Sequence, residues 1–285
     1  MQPHTSHLQV PAGLPPEVAG EVSKFLSRRN LLATVGVAAT GGALAMVNYR
    51  DDAQAATTPK AVTAPAGTKA AEHAWCMVID LRTCDGCRGC TTACQQRHGL
   101  REEQTWIKVY DMKDSSGGTY NMPRPCMMCE DPPCVYICPV GANIRTDEGL
   151  VLVDTDVCVG SRACMAACPY EARYFNWTDP LPAARMPMPA SPEMPVPQKG
   201  TVGKCVFCAD RLPHGELPAC VSSCPMGVLY IGDLVTDVAV NGLGKTVVLS
   251  QFLRDNDAVR FKEELGTNPR VYYILGHGQN LGGAE

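Results

Sequence analysis

Fifteen of the sixteen cysteines in this 285-residue chain fall into four short groups, and their spacing narrows the possible folds more than any other feature. Group I is Cys84, Cys87, Cys90 and Cys94, spaced C-x2-C-x2-C-x3-C. Group II is Cys126, Cys129, Cys134 and Cys138, spaced C-x2-C-x4-C-x3-C and followed by Pro139. Group III reads Cys158-Val159-Gly160-Ser161-Arg162-Ala163-Cys164, then Cys168 and Pro169. Group IV is Cys205, Cys208, Cys220 and Cys224, with eleven residues between its middle pair and Pro225 after it. Only Cys76 stands outside the groups.

Such spacing suits a metal cluster with several irons. A cubane iron–sulfur cluster needs one thiolate per iron, arriving from different directions. C-x2-C-x2-C wraps a loop around three corners and leaves backbone amides free to donate to the sulfurs. The cysteine three residues on sits where the chain turns away, so it serves the second cluster of a pair, as in two-cluster ferredoxins. The proline after it fixes the backbone as the loop ends. Zinc is the rival, because two C-x2-C pairs can also build a four-thiolate site. Zinc does not call for third and fourth cysteines repeated at these intervals. The groups are also internal repeats. Met77-Val78-Ile79-Asp80 and Val151-Leu152-Val153-Asp154 are β-prone runs ahead of cluster loops, and Gly141-Ala142-Asn143-Ile144 and Gly227-Val228-Leu229-Tyr230 follow Cys-Pro pairs. These runs predict an α+β fold of two ferredoxin-like modules, each wrapped around two clusters.

The N-terminus bears on compartment. Ser27-Arg28-Arg29-Asn30 places a twin arginine before a weakly apolar run at residues 31–47, with the small-x-small sequence Ala53-Gln54-Ala55 after it. The run is short for a membrane span and has the flanks of an export signal. Residues 1–55 are therefore expected to be a twin-arginine signal and 56–73 a flexible linker. Residues 74–234 form the double iron–sulfur domain and 235–285 a C-terminal extension. Sixteen exported cysteines would ordinarily suggest disulfides. Twin-arginine signals serve proteins that load cofactors before export, which favours metal already in place. The expected location is the periplasm, or outer face of the cytoplasmic membrane, with attachment through partners.

Other segments are less informative. The stretch 177–203 holds seven prolines with Met186, Met188 and Met194 among them, and reads as an extended arm suited to contact a partner. Cys76 lies in a strand-like run and reads as a small buried apolar residue. Arg88, Arg162 and Arg173 lie near cluster loops, where they could raise cluster potentials or meet acidic partners; solvated surface is the preferred reading for each. Gly242-Leu243-Gly244-Lys245-Thr246 glances at a phosphate loop but lacks its first glycine, because Ala239 stands there. A helix is expected at 250–265 and a strand at 271–275. With charged residues at 19% and pI near 5.9, nothing points to nucleic acid. No C-x-x-C-H is present to attach a c-type haem.

The chain resembles the four-cluster ferredoxin-type subunits of the dimethyl sulfoxide reductase (molybdopterin oxidoreductase) family, and the related iron–sulfur part of alternative complex III. The resemblance is carried by Ile79-Asp80-Leu81-Arg82-Thr83-Cys84, Arg124-Pro125-Cys126-Met127-Met128-Cys129, Pro132-Pro133-Cys134, Lys204-Cys205-Val206-Phe207-Cys208, Leu217-Pro218-Ala219-Cys220 and Asn268-Pro269-Arg270-Val271-Tyr272-Tyr273. It implies the ligand pairing. Cys84, Cys87, Cys90 and Cys224 would hold one 4Fe–4S cluster, and Cys205, Cys208, Cys220 and Cys94 a second. Cys126, Cys129, Cys134 and Cys168 would hold a third. Cys158, Cys164 and Cys138 remain for the fourth, with Ser161 at the corner where a cysteine normally sits. A serine oxygen is a harder ligand than thiolate, so the expectation is loss of that iron and a 3Fe–4S cluster. A fourth cubane with a tolerated serine stays open.

The resemblance also implies function. The chain would be a non-catalytic electron-transfer subunit in a respiratory or photosynthetic membrane complex, of alternative complex III or molybdopterin oxidoreductase type. It would join a polytopic quinone-binding membrane subunit to a molybdopterin-type or related large subunit, with c-type cytochrome subunits as further candidates. The alternative is a subunit of a periplasmic tetrathionate, polysulfide or nitrite-type reductase. An autonomous oxyanion reductase working at an open 3Fe–4S corner, and a structural zinc protein, are remoter readings.

Overall fold

The computed structural model describes residues 71–179, 181, 198–276 and 279. The signal region 1–55, the linker up to residue 70 and most of the arm lie outside the described residues. Strand β1, Trp75–Asp80, grows from the run Met77-Val78-Ile79-Asp80, and its alternation divides the core. Met77 and Ile79 point to the side that holds the cluster cysteines, while Cys76 and Val78 point to a second layer with Tyr230, Ala239, Leu249 and Ile274. The period of two along a strand makes both layers possible.

β1 sits at the centre of a six-stranded sheet. Its antiparallel neighbour is β8, Leu229–Asp233, with Ile79 opposite Leu229 and Trp75 opposite Asp233. Its parallel neighbour is β12, Val271–Ile274, with Met77 opposite Val271. The sheet is completed by β9, Val238–Asn241, β10, Thr246–Val248, and β11, Val259–Arg260, in the order β10-β9-β8-β1-β12-β11. The 242–246 string is the β9–β10 turn, as expected. The Asn241 side chain accepts from the Leu243 and Lys245 amides at 3.1 and 2.9 Å, and Gly244 supplies the positive φ of 79°.

Three two-stranded ribbons complete the described sheets. They are β2, Lys108–Lys113, with β3, Thr119–Arg124; β4, Asn143–Arg145, with β5, Val151–Val153; and β6, Arg173–Phe175, with β7, Val202–Lys204. Five α-helical segments are described: α1, Gly89–His98; α2, Pro133–Tyr136; α3, Ala163–Ala166; α4, Ala219–Ser222; and α5, Leu249–Asp255. Packing of α1 on α4, and of α2 on α3, joins group I to group IV and group II to group III.

Two expectations need correction. The helix expected at 250–265 stops at Asp255. Asp257 and Lys262 take left-handed φ values of 45° and 55°, and between them Val259 and Arg260 pair with Tyr273 and Tyr272 of β12. Sheet pairing here overrides the helical pattern. Arg173 is not solvated surface: it is only 8% exposed, whereas Arg88 and Arg162 are exposed as expected.

Candidate iron–sulfur centres

The four cysteine groups repeat in backbone as well as in spacing. In group I, Gly86 and Arg88 take φ of 74° and 58°; in group III, Gly160 and Arg162 take 70° and 60°. Ser161 therefore occupies the place that Cys87 occupies in group I. In groups II and IV, Met128 and Phe207 take φ of 44° and 53°, each two residues after the first cysteine. Residues that rarely leave the negative-φ region do so at matching positions, which marks a required loop shape. Close approach adds to this at Gly160, where a Cβ would come within 2.1 Å of the Gly200 carbonyl oxygen.

The closing cysteines share a turn. The amides of Gly141, Glu171 and Gly227 donate back to the carbonyls of Cys138, Cys168 and Cys224, and all three residues have positive φ. Strands β4, β6 and β8 begin just beyond, so the turn carries the chain from cysteine to sheet. On α1, Cys90 and Cys94 are four residues apart and lie along one face.

Distant groups meet in pairs. Cys224 of group IV is an electrostatic neighbour of Cys84 and Cys90 in group I. Cys94 of group I in turn faces Cys205, Cys220 and Cys208. Cys129 faces Cys126, Cys134 and Cys168, which joins group III to group II. A small pocket, partly open to solvent, is lined by Cys84, Cys87, Cys90 and Cys224, together with Val109 and Pro123. Cys138 and Cys164 are placed by other groups. Cys138 receives the amides of Val140, Asn143 and Ala142, and Cys164 lies near the Arg173 guanidinium.

Electrostatics fit a cationic cluster core. Burial pushes the Cys90 thiol up to about 11, and those of Cys129 and Cys205 up to about 12. Burial also lifts Cys94 and Cys220 well above the ordinary range. Such sulfurs become thiolates only beside a cation, which bound iron supplies. Cys138 goes the other way: burial raises it, but its three amides and the Asn143 side chain outweigh burial and hold it below the ordinary range. Backbone donors also reach Cys84 from Gly86, Cys205 from Phe207 and Cys208 from Ala219. Among the described residues no three His, Cys, Asp or Glu side chains close around a single metal ion.

Cys76 is fully buried on the far layer of the sheet, its thiol raised to about 12 by burial, and takes no part in the groups. Three further features escaped the sequence reading. Lys204 is 1% exposed. His98 Nε2 lies 3.4 Å from Cys208 Sγ with its ring tilted against Trp106. Arg97 and Asp210 form a buried ion pair. Only tertiary packing reveals them, because each depends on residues far away in sequence.

Comparison with known proteins agrees with this geometry. A model of the 4Fe-4S dicluster domain matches residues 117–184 and 188–234. A provisionally named iron–sulfur subunit of a dimethyl sulfoxide reductase from Halobacterium salinarum is 36% identical over 216 residues, 70% of this chain and 78% of that protein. The chain belongs to the 4Fe–4S dicluster iron–sulfur subunits of the dimethyl sulfoxide reductase family of molybdopterin oxidoreductases. It is an iron–sulfur electron-transfer subunit. The menaquinone reductase iron–sulfur cluster-binding subunit of Nitratidesulfovibrio vulgaris is 34% identical over 70% of this chain and 88% of that protein. A tetrathionate reductase subunit of Salmonella typhimurium is 34% identical over 71% of this chain and 72% of that protein. Among the described residues no helix is long and apolar enough to cross a membrane.

Proposed function

We propose that the chain is the electron wire of an exported membrane complex, joining a quinone-binding membrane subunit to a molybdopterin-type large subunit through four clusters. Its ligand sets are Cys84, Cys87, Cys90 and Cys224; Cys94, Cys205, Cys208 and Cys220; Cys126, Cys129, Cys134 and Cys168; and Cys138, Cys158 and Cys164. The observation that carries this reading is the pairing of distant groups, Cys224 with group I and Cys94 with group IV. When bound, the clusters supply reversible one-electron transfer. The chain's own part is to present thiolates, aim backbone amides at them and exclude water from the inner sites.

Ser161 supports a 3Fe–4S cluster as the fourth, because a hydroxyl stands where the equivalent loop of group I presents Cys87. Tyr136, Val159 and Trp177 are 74%, 66% and 61% exposed, apolar side chains suited to contact with a partner surface. Similarity to a menaquinone reductase subunit supports quinone on one side of the wire. Similarity to a tetrathionate reductase subunit supports the alternative in which the large subunit reduces a sulfur oxyanion. The twin arginine supports folding and metal loading before export.

Paired substitutions test the ligand sets. Cys84→Ser and Cys224→Ser should perturb the same EPR signal of the reduced protein, and Cys94→Ser the signal altered by Cys205→Ser. If Cys224→Ser instead alters the signal shared by Cys205 and Cys208, the crossover is wrong.

A further inference from the structure

Two buried cations stand side by side where the cysteine groups of the two modules meet. Arg173 and Lys204 are direct cross-strand partners in the β6–β7 ribbon, 8% and 1% exposed. Like charges opposite one another destabilise a ribbon, and burying an unpaired charge costs more still. Among the described residues neither cation has an ion pair with a carboxylate. Lys204 Nζ donates to the carbonyls of Val151 and Cys205, the latter at 2.6 Å, and lies 3.8 Å from Met128 Sδ. Arg173 Nη1 donates to Asn143 Oδ1 at 2.6 Å, and the guanidinium also hydrogen-bonds the Cys134 sulfur. Their charged neighbours are cysteines instead. Arg173 acts on Cys134, Cys164 and Cys126, and Lys204 acts on Cys205 and Cys134.

The placement has a pattern. Cys205 belongs to the set shared by groups I and IV, and Cys126 and Cys134 to the set shared by groups II and III. Lys204 therefore bridges the two modules. Arg173 reaches the other way, toward Cys164 and, through Asn143, toward Cys138. We propose that Arg173 and Lys204 form a buried cationic bridge whose counter-anions are the thiolate-ligated clusters, and that it holds the inner clusters at higher potential than a neutral core would. This inference rests on the ligand sets proposed above. A reduced cluster carries one more negative charge than an oxidised one, so a fixed positive charge nearby favours the reduced form. Both residues are positioning residues, since they act on the clusters through the protein dielectric.

The test is an EPR-monitored redox titration of the full-length holoprotein, with iron counted in every sample. Lys204→Met should lower the midpoint of the clusters held by the Cys205 and Cys126 sets. The expected change at a fixed ambient potential is a fall of about tenfold in the reduced-to-oxidised ratio, ~59 mV for a one-electron couple. Arg173→Gln should lower the Cys126 set and the fourth cluster. Lys204→Arg and Arg173→Lys should keep midpoints near the parent, and the set holding Cys84 should move in none of them. Should Lys204→Met lose a cluster outright while Lys204→Arg keeps it, the charge is again what matters. Unmoved midpoints at full iron content would overturn the proposal, as would equal cluster loss in the charge-keeping variants. A parent protein without iron would instead sink the wire reading itself.

Discussion

Ser161 is the residue on which the proposed fourth cluster turns. It lies on an exposed loop between Gly160 and Arg162, in the backbone shape that presents Cys87 in group I. Ser161→Cys should complete a cubane. The expected outcome is loss of the oxidised 3Fe–4S EPR signal and a rise from about fifteen to about sixteen irons per chain. An unchanged spectrum would mean the serine corner is already filled. A second residue-scale prediction concerns Asp210, 3% exposed at its side chain and paired with Arg97, whose side chain is 9% exposed. Asp210→Ala strands the guanidinium and should cost about 3–5 kcal/mol in chemical denaturation, whereas the double change Arg97→Met with Asp210→Leu should recover most of it.

At the scale of elements, loop shape and strand clasp are the sensitive points. Gly160 combines a positive φ with a close approach to the Gly200 carbonyl. Gly160→Ala should therefore disrupt the group III loop, removing the fourth cluster's signal while the other three persist. The start of β1 is tied to the end of β8 by His73 Nδ1, 2.9 Å from Asp233 Oδ2. That hydrogen bond to Asp233 raises the His73 pKa above its ordinary value. A raised folded-state value means the contribution is fully present below the unfolded pKa, about 6.5, and is lost as pH rises through the folded value. The advantage in melting temperature of the parent over His73→Ala should be full below the unfolded pKa of about 6.5 and shrink as pH rises above it through the raised folded value. The effect is small because the histidine is 39% exposed and screened by solvent. Strands β1, β4, β5 and β8 were legible because short apolar runs abut each cysteine group. The true length of α5 was not, because pairing of Val259 and Arg260 with β12 is a long-range event that local periodicity does not record.

Across the whole molecule, cysteine spacing made the four groups and their fitness for iron–sulfur clusters legible, whereas which groups share a cluster came from the family resemblance and not from spacing. The sheet that frames the first module was less visible. Its parallel contact joins residues 77 and 271, from opposite ends of the described chain, and no local signal announces it. Burial of Arg173 and Lys204 was equally hidden, because a basic residue beside a cysteine looks the same in sequence whether it faces water or a cluster. EPR of the native protein, with iron counted, decides whether the chain is a four-cluster wire. A wire of this composition gives an oxidised 3Fe–4S signal, three further clusters that become paramagnetic on reduction, and about fifteen irons per chain. An EPR-silent, zinc-bearing sample without iron would contradict it.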